Sequence, residues 1–103
     1  SLPADEFQKI AAAIPADTII LDVRNTDEAN AGMIKGAVLI PDEELTQRMG
    51  ELSRDKKIVT HCATGVRAEM AYHKLKEAGY NVRFLNADIE IGKDGKFKLT
   101  PKL

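Results

Sequence analysis

A single cysteine, Cys62, leaves no partner for an intrachain disulfide, so the fold does not rely on oxidation. Cytoplasm and periplasm both suit such a chain. No apolar stretch is long enough to span a bilayer, and the N-terminus has no basic region followed by a signal-like apolar core; the domain is expected to be soluble, without membrane insertion. An excess of one charge is missing too. Fifteen basic against 16 acidic residues give a formal charge of −1, and no basic stripe or run of like charge points to nucleic acid, a membrane surface or an acidic tail. Tryptophan is absent, as are repeats and low-complexity segments. The chain begins Ser1-Leu2-Pro3 without methionine, which suits a cleaved precursor, a tag remnant or a domain cut from a longer protein.

What remains is enough for one core. At 103 residues and 44% hydrophobic content, residues 1–103 are expected to form one small domain, with no room for a second. After Pro3, a good first-turn residue, Phe7, Ile10, Ala11 and Ile14 fall at helical spacing until Pro15 stops the pattern. Thr18 to Val23 reads as a buried strand, and Asn25 can cap a short helix through Ala31, with Glu28 in its first turn and Gly32 closing it. Ala37 to Ile40 is a second short strand. Asp42 can then cap a helix with Leu45, Met49 and Leu52 facing inward.

Ile58 to His61 supplies another strand, followed by a helix that places Ala68, Ala71, Tyr72 and Leu75 on one face. Gly79 is a C-terminal cap before a strand at Val82 to Leu85. Short apolar strands alternating with helices argue for an α/β fold: a mostly parallel central sheet, helices on both faces, ligands beyond the strands' carboxyl ends. In the tail, Ile89 and Ile91, then Phe97 and Leu99, alternate with polar residues around Lys93-Asp94-Gly95-Lys96. This is a β-hairpin signature, and the hairpin is expected to pack its apolar face on the domain.

Cys62 stands where the β-branched run ends and the Ala63-Thr64-Gly65-Val66-Arg67 loop leads into the helix. Amides in the loop and first helical turn can face the sulfur there, and the positive end of the helix dipole favours thiolate. Gly65 permits a positive φ angle and a close approach of backbone to an anion, while Arg67 adds a planar, fixed charge. The pattern points to sulfur-based covalent chemistry. Its plain alternative is a small residue packed at a strand end.

His61-Cys62-Ala63-Thr64-Gly65-Val66-Arg67 resembles the active-site loop of single-domain rhodaneses. Leu21-Asp22-Val23-Arg24, with Glu28 downstream, resembles the family's earlier acidic-basic motif, and Gly32-Met33-Ile34-Lys35-Gly36-Ala37 running to Ile40-Pro41 resembles a third segment. Three ordered motifs between about residues 19 and 85 are far more specific than one loop. Two departures stand out. Met33 replaces a histidine found in many relatives, and Leu85-Asn86-Ala87-Asp88-Ile89-Glu90 replaces their Gly-Gly and tryptophan signature. The hairpin is expected to substitute for part of that missing segment.

The resemblance implies a rhodanese-like domain with sulfurtransferase activity. Cys62 would take sulfane sulfur from a small donor such as thiosulfate, or from a persulfide that a protein could carry, and pass it to a thiol or cyanide through a Cys62 persulfide. No metal or organic cofactor is implied. Amides of residues 63 to 67 would stabilise negative sulfur, and Arg67 would clamp an anionic donor. Asp22 and Arg24 are expected to support the loop and to pair with Glu28. His61 is expected to pack, or to donate a hydrogen bond behind the site, because neighbours on a strand point to opposite faces. His73 is expected on the solvated surface.

Two rivals remain. The domain could be a sulfur carrier or interaction module with little turnover, which the neutral Ala63-Thr64 pair makes credible. A phosphatase or arsenate reductase of the related fold would have five residues between cysteine and arginine, whereas Cys62 and Arg67 enclose four.

Overall fold

The β-branched runs become the sheet. Thr18–Asp22 (β1), Val38–Leu39 (β2), Lys57–His61 (β3) and Asn81–Phe84 (β4) pair in the order β2-β1-β3-β4, all parallel, in a computed structural model that describes residues 1–102. Leu103, the last residue of the expected domain, lies outside the described residues. β3 is central and paired on both sides: Ile20 lies opposite Val59, Asp22 opposite His61, and Ile58 opposite Val82. Leu2 extends the edge beyond β4 through a parallel bridge to Leu85, its N–H donating to the Phe84 carbonyl at 2.8 Å.

Side chains alternate along each strand, so the sheet builds two cores. On one face Leu21, Ile58 and Val82 meet Leu45 and Leu52, together with Ala68, Ala71 and Leu75 of the long helix Val66–Glu77. The buried alanines of that helix let its backbone lie close to the sheet. On the other face Ile20 and Val59 meet Leu2, Phe7, Ile34 and Ile89. Phe7 comes from the helix Ala4–Ala12 (α1), is fully buried, and packs its ring edge-on against Phe97 at 6.0 Å. Truncating a ring buried in this way typically costs about 3–5 kcal/mol.

Asn25 and Glu28 cap the short helix Thr26–Asn30 (α2) reciprocally. Asn25 Oδ1 accepts from the Glu28 N–H at 2.8 Å, and Glu28 Oε1 accepts from the Asn25 N–H at 3.1 Å. Two boundaries differ from the sequence reading. β2 keeps only two residues of the expected Ala37 to Ile40, and the helix expected after Asp42 is broken into 3₁₀ turns at Asp42–Glu44 and Met49–Glu51 around one helical turn, Leu45–Arg48 (α3). The Asp42 carboxylate does not cap it. Lys74, reaching over from Val66–Glu77 (α4), takes that carboxylate at 3.1 Å and the Asp42 carbonyl at 3.1 Å. Gly50, a poor helix former, sits in the closing turn.

The tail forms the expected hairpin. Ala87–Ile91 (β5) and Phe97–Pro101 (β6) pair antiparallel, Ile89 opposite Leu99 and Ile91 opposite Phe97, with these apolar residues turned to the α1 side of the domain. Its turn end fits past the end of α2 only because residue 32 has no side chain: a Cβ there would lie 2.2 Å from the Gly92 carbonyl oxygen. Since the atom met is backbone, relief requires moving the hairpin. Gly32→Ala is expected to cost about 2–4 kcal/mol, read as a fall in Tm with early loss of amide protection in β5. An unchanged Tm would show that the hairpin is not held there.

Candidate active site

β3 ends at His61, so Cys62 is the first residue beyond the carboxyl edge of the sheet. The chain must then turn sharply into α4. Gly65 makes that turn at a φ of 94°, a value L-residues rarely adopt, and serves as the cap of α4 with no side chain of its own in the way. The turn aims two backbone donors at the sulfur: the N–H of Gly65 lies 3.1 Å from Cys62 Sγ and that of Ala68 lies 3.2 Å away. The side chain is almost wholly buried, at 1% exposure, so these contacts act where water screens little. A sulfur carrying negative charge is the species they stabilise best.

Neighbouring elements fix the loop. Thr60 Oγ1, one strand position before His61, donates to the Ala68 carbonyl at 2.9 Å and so joins β3 to the first turn of α4. Ile89 N–H of β5 donates to the Ala63 carbonyl at 2.9 Å, and Gly65 lies within van der Waals reach of the link between β4 and β5, a Cβ there standing 3.4 Å from the Leu85 carbonyl oxygen. The hairpin is therefore bonded to the loop as well as packed on the domain. Thr64 and Val66 are exposed, and Ala63 and Arg67 are partly buried.

Arg67 meets Glu28 through two parallel bonds, Nη1 to Oε1 and Nη2 to Oε2, the second at 3.0 Å. The Arg67 fork holds the Glu28 carboxyl down to about 2 against the opposing effect of burial, with the Asn25 amide adding to it. Glu28 in turn raises Arg67 above its ordinary range. Both side chains are about one-third exposed, at 34% and 31%, so solvent screens the pair and its contribution to stability is modest.

Asp22 and Arg24 make a deeper pair. Arg24 Nη2 donates to Asp22 Oδ2 at 2.7 Å and to the Gly32 carbonyl at 2.6 Å, Nε reaches Oδ1 at 3.0 Å, and the Arg24 backbone N–H takes Oδ1 at 3.0 Å. This ties the end of β1 to the segment after α2. The expected pairing of these residues with Glu28 does not form. Buried Asp22 takes Nε and Nη2 of Arg24, and the Glu28 carboxylate bonds Arg67 instead, with the charge of Arg24 still helping to hold it down.

His61 is fully buried on the opposite face from Cys62, edge-on to Phe7 at 5.8 Å, and neither ring nitrogen has a hydrogen-bond partner. It packs, and it does not donate behind the site. Burial pushes its pKa down to about 4, with Asp22 opposing and Arg24 assisting. His73 lies on the exposed outer side of α4 beside Glu69.

A cavity of about 200 Å³ lies beside the Arg67–Glu28 pair, lined by Val23, Asn25, Pro41, Asp42, Glu43 and Arg67. A larger cleft of about 370 Å³ opens at the other end of the sheet, where Thr18, Lys57 and Asn81 begin their strands, far from the sulfur. Among the described residues no three His, Cys, Asp or Glu side chains gather as metal ligands. No helix among them is long and apolar enough to cross a membrane. The sequence reading missed Thr60 and the Ile89 amide. A threonine two residues before the cysteine was the only signal for the first, and a backbone donor leaves none.

The sequence model of the Rhodanese-like domain matches residues 3–91, which takes in β5 and stops short of β6. A solved rhodanese-related protein from Thermoplasma volcanium superposes with a TM-score of 0.76 at 30% identity, over 85% of this chain and 84% of that one. A sulfurtransferase of Allochromatium vinosum is 34% identical over 70 residues, covering 68% of this chain and 64% of the relative. A tRNA uridine(34) hydroxylase of Listeria monocytogenes is 37% identical over 86 residues, covering 78% of this chain and 26% of the relative. The chain thus spans about a quarter of the length of the hydroxylases it matches.

Two expectations follow from the buried polar groups. Unfolded His61 protonates near 6.5 while the folded residue stays neutral to about 4, so stability should fall as pH drops through that window, by about 3 kcal/mol in all. Above pH 7 this dependence vanishes. Urea midpoints should show the slope already between pH 6.5 and 5, and His61→Leu should flatten it; a slope that survives would place its origin elsewhere. Asp22→Asn leaves a buried guanidinium without its counter-charge and is expected to cost about 3–5 kcal/mol in chemical denaturation. A loss below about 1 kcal/mol would mean that Arg24 finds solvent instead.

Proposed function

This chain belongs to the rhodanese-like family, and on that footing we propose that it is a sulfurtransferase whose Cys62 carries the sulfur in transit. The observation that supports this reading is the pair of backbone N–H groups, from Gly65 and Ala68, converging on Cys62 Sγ at 3.1 and 3.2 Å. They are fixed by the fold before any substrate arrives, which is what electrostatic preorganisation requires.

The Cys62 thiolate attacks the outer sulfur of a sulfane donor. A new sulfur–sulfur bond forms at Cys62, the donor's own sulfur–sulfur bond breaks, and its electron pair leaves on sulfite when the donor is thiosulfate or on a thiolate when it is a persulfide. A thiophilic acceptor, cyanide or a thiol, then takes the outer sulfur and regenerates the Cys62 thiolate. Splitting the transfer in two makes each step a displacement at sulfur and gives ping-pong kinetics. Hydrogen bonds to an ionised acceptor contribute about 1.5–3 kcal/mol each, so two amides stabilise the negative charge that passes through this sulfur during transfer. The first-turn amides of α4 at Val66 and Arg67 have no acceptor within the helix, so they can receive the added outer sulfur.

A carrier role, in which the domain holds persulfide sulfur for a partner and turns over small donors slowly, is favoured by one observation. Cys62 lies almost wholly below the surface, and the loop residues around it carry no charge until Arg67, which Glu28 already holds. The four-residue spacing between Cys62 and Arg67 suits a single sulfur atom better than a tetrahedral oxyanion.

Intact-protein mass after incubation with thiosulfate, and separately with a persulfide donor, should rise by one sulfur atom. Excess cyanide should reverse the gain as thiocyanate appears. Cys62→Ser should abolish loading while keeping the wild-type circular dichroism. Loading with slow thiocyanate release would select the carrier role, and no loading from any donor would remove both.

A further inference from the structure

The charges around the sulfur are arranged unusually for a site that must accept an anion. Cys62 to Val66 are uncharged, leaving Arg67 as the one cation of the loop. Its guanidinium is committed edge-on to Glu28 through both forks. Two neighbouring cations are committed too, Arg24 to Asp22 and Lys74 to Asp42. The cavity beside Arg67 has no second cation in its lining, which includes Asp42 and Glu43. Glu28 itself is not free to turn away, because its Oε1 accepts from the Asn25 N–H at 3.1 Å while its own N–H is held by Asn25 Oδ1 at 2.8 Å.

A doubly charged donor approaching a thiolate gathers three negative charges at one place, two of them its own, and needs an uncommitted cation to offset them. An alkyl persulfide brings one charge at most. Building on the sulfurtransferase reading, we propose that Glu28 sets the donor class of this site: by occupying the Arg67 fork it withholds the loop's cation from thiosulfate and leaves Cys62 selective for an alkyl persulfide. The step is the displacement already described, with the donor's sulfur–sulfur bond breaking to give an alkyl thiolate and the outer sulfur joining Cys62. It needs no oxidant or reductant. Glu28 acts through Arg67 and is a positioning residue.

The test compares second-order loading rates, followed by intact mass, for thiosulfate and for the persulfide of 2-mercaptoethanol. The wild-type protein should load faster from the persulfide. Glu28→Gln, which keeps an oxygen for the Asn25 amide but loses the charge, should raise the ratio of thiosulfate to persulfide rates by about tenfold. Thr64→Lys leaves the Glu28–Arg67 pair in place and adds a cation to an exposed loop position, so it should raise the same ratio, with the gain shrinking as salt is added. A loss of folding in Glu28→Gln would lower both rates together, and Thr64→Lys then decides. Faster wild-type loading from thiosulfate, or a ratio unmoved in Thr64→Lys and in folded Glu28→Gln, overturns the proposal while leaving sulfurtransfer intact. Failure of the wild-type protein to load from either donor overturns both.

Discussion

Everything at the site depends on the direction in which β3 leaves the sheet. The strand is clamped on both sides by parallel neighbours from Lys57 onward, so its last residues have almost no freedom of position or twist. The alternation of side chains then sends His61 to the α1 face and Cys62 to the α4 face without any further instruction. A register slip of one residue would exchange them, burying the thiol against Phe7 and turning an imidazole toward the helix start. Thr60 reinforces the choice by tying the same strand to the Ala68 carbonyl, the residue whose N–H reaches the sulfur.

The electrostatics follow two different rules at two depths. Asp22 and Arg24 are removed from water, and such a pair is a constraint on geometry more than a source of stability, since desolvation offsets much of the attraction. Its value lies in where it ends: Arg24 reaches the carbonyl of Gly32, the residue just after α2 against which the turn of the hairpin presses. Glu28 and Arg67 stay partly wet. Solvent screens their attraction, and the two bonds between Glu28 and Asn25 keep the carboxylate where Arg67 meets it.

The architecture was legible in the sequence because its signals were local and agreed with one another. β-branched runs gave the strands, Asn25 gave the cap of α2, and Asp94-Gly95 between alternating runs gave the hairpin. What stayed hidden was partner choice across long sequence separation. Asp42 looks like a helix cap until Lys74, 32 residues later, claims its carboxylate, and Glu28 looks like a partner for Arg24 until Arg67, 39 residues on, supplies a better-placed fork. Local spacing states which groups are available. Only the assembled fold decides between competing donors, and the Ile89 amide that holds the loop has no side chain through which to announce itself.

The bond from Ile89 to the Ala63 carbonyl, together with the close pass of Gly65 under the Leu85 carbonyl, makes the loop and the tail a matched pair. A residue inserted between Cys62 and Arg67 would shift the Ala63 carbonyl against the Ile89 N–H, and a tail exchanged for another would have to supply that donor again. Loop length and tail architecture can therefore diversify only together. Descent or engineering toward a wider cradle on this scaffold must reseat Ile89 at the same time as residues 63–66, although the two segments are separated in the chain by an entire helix and strand.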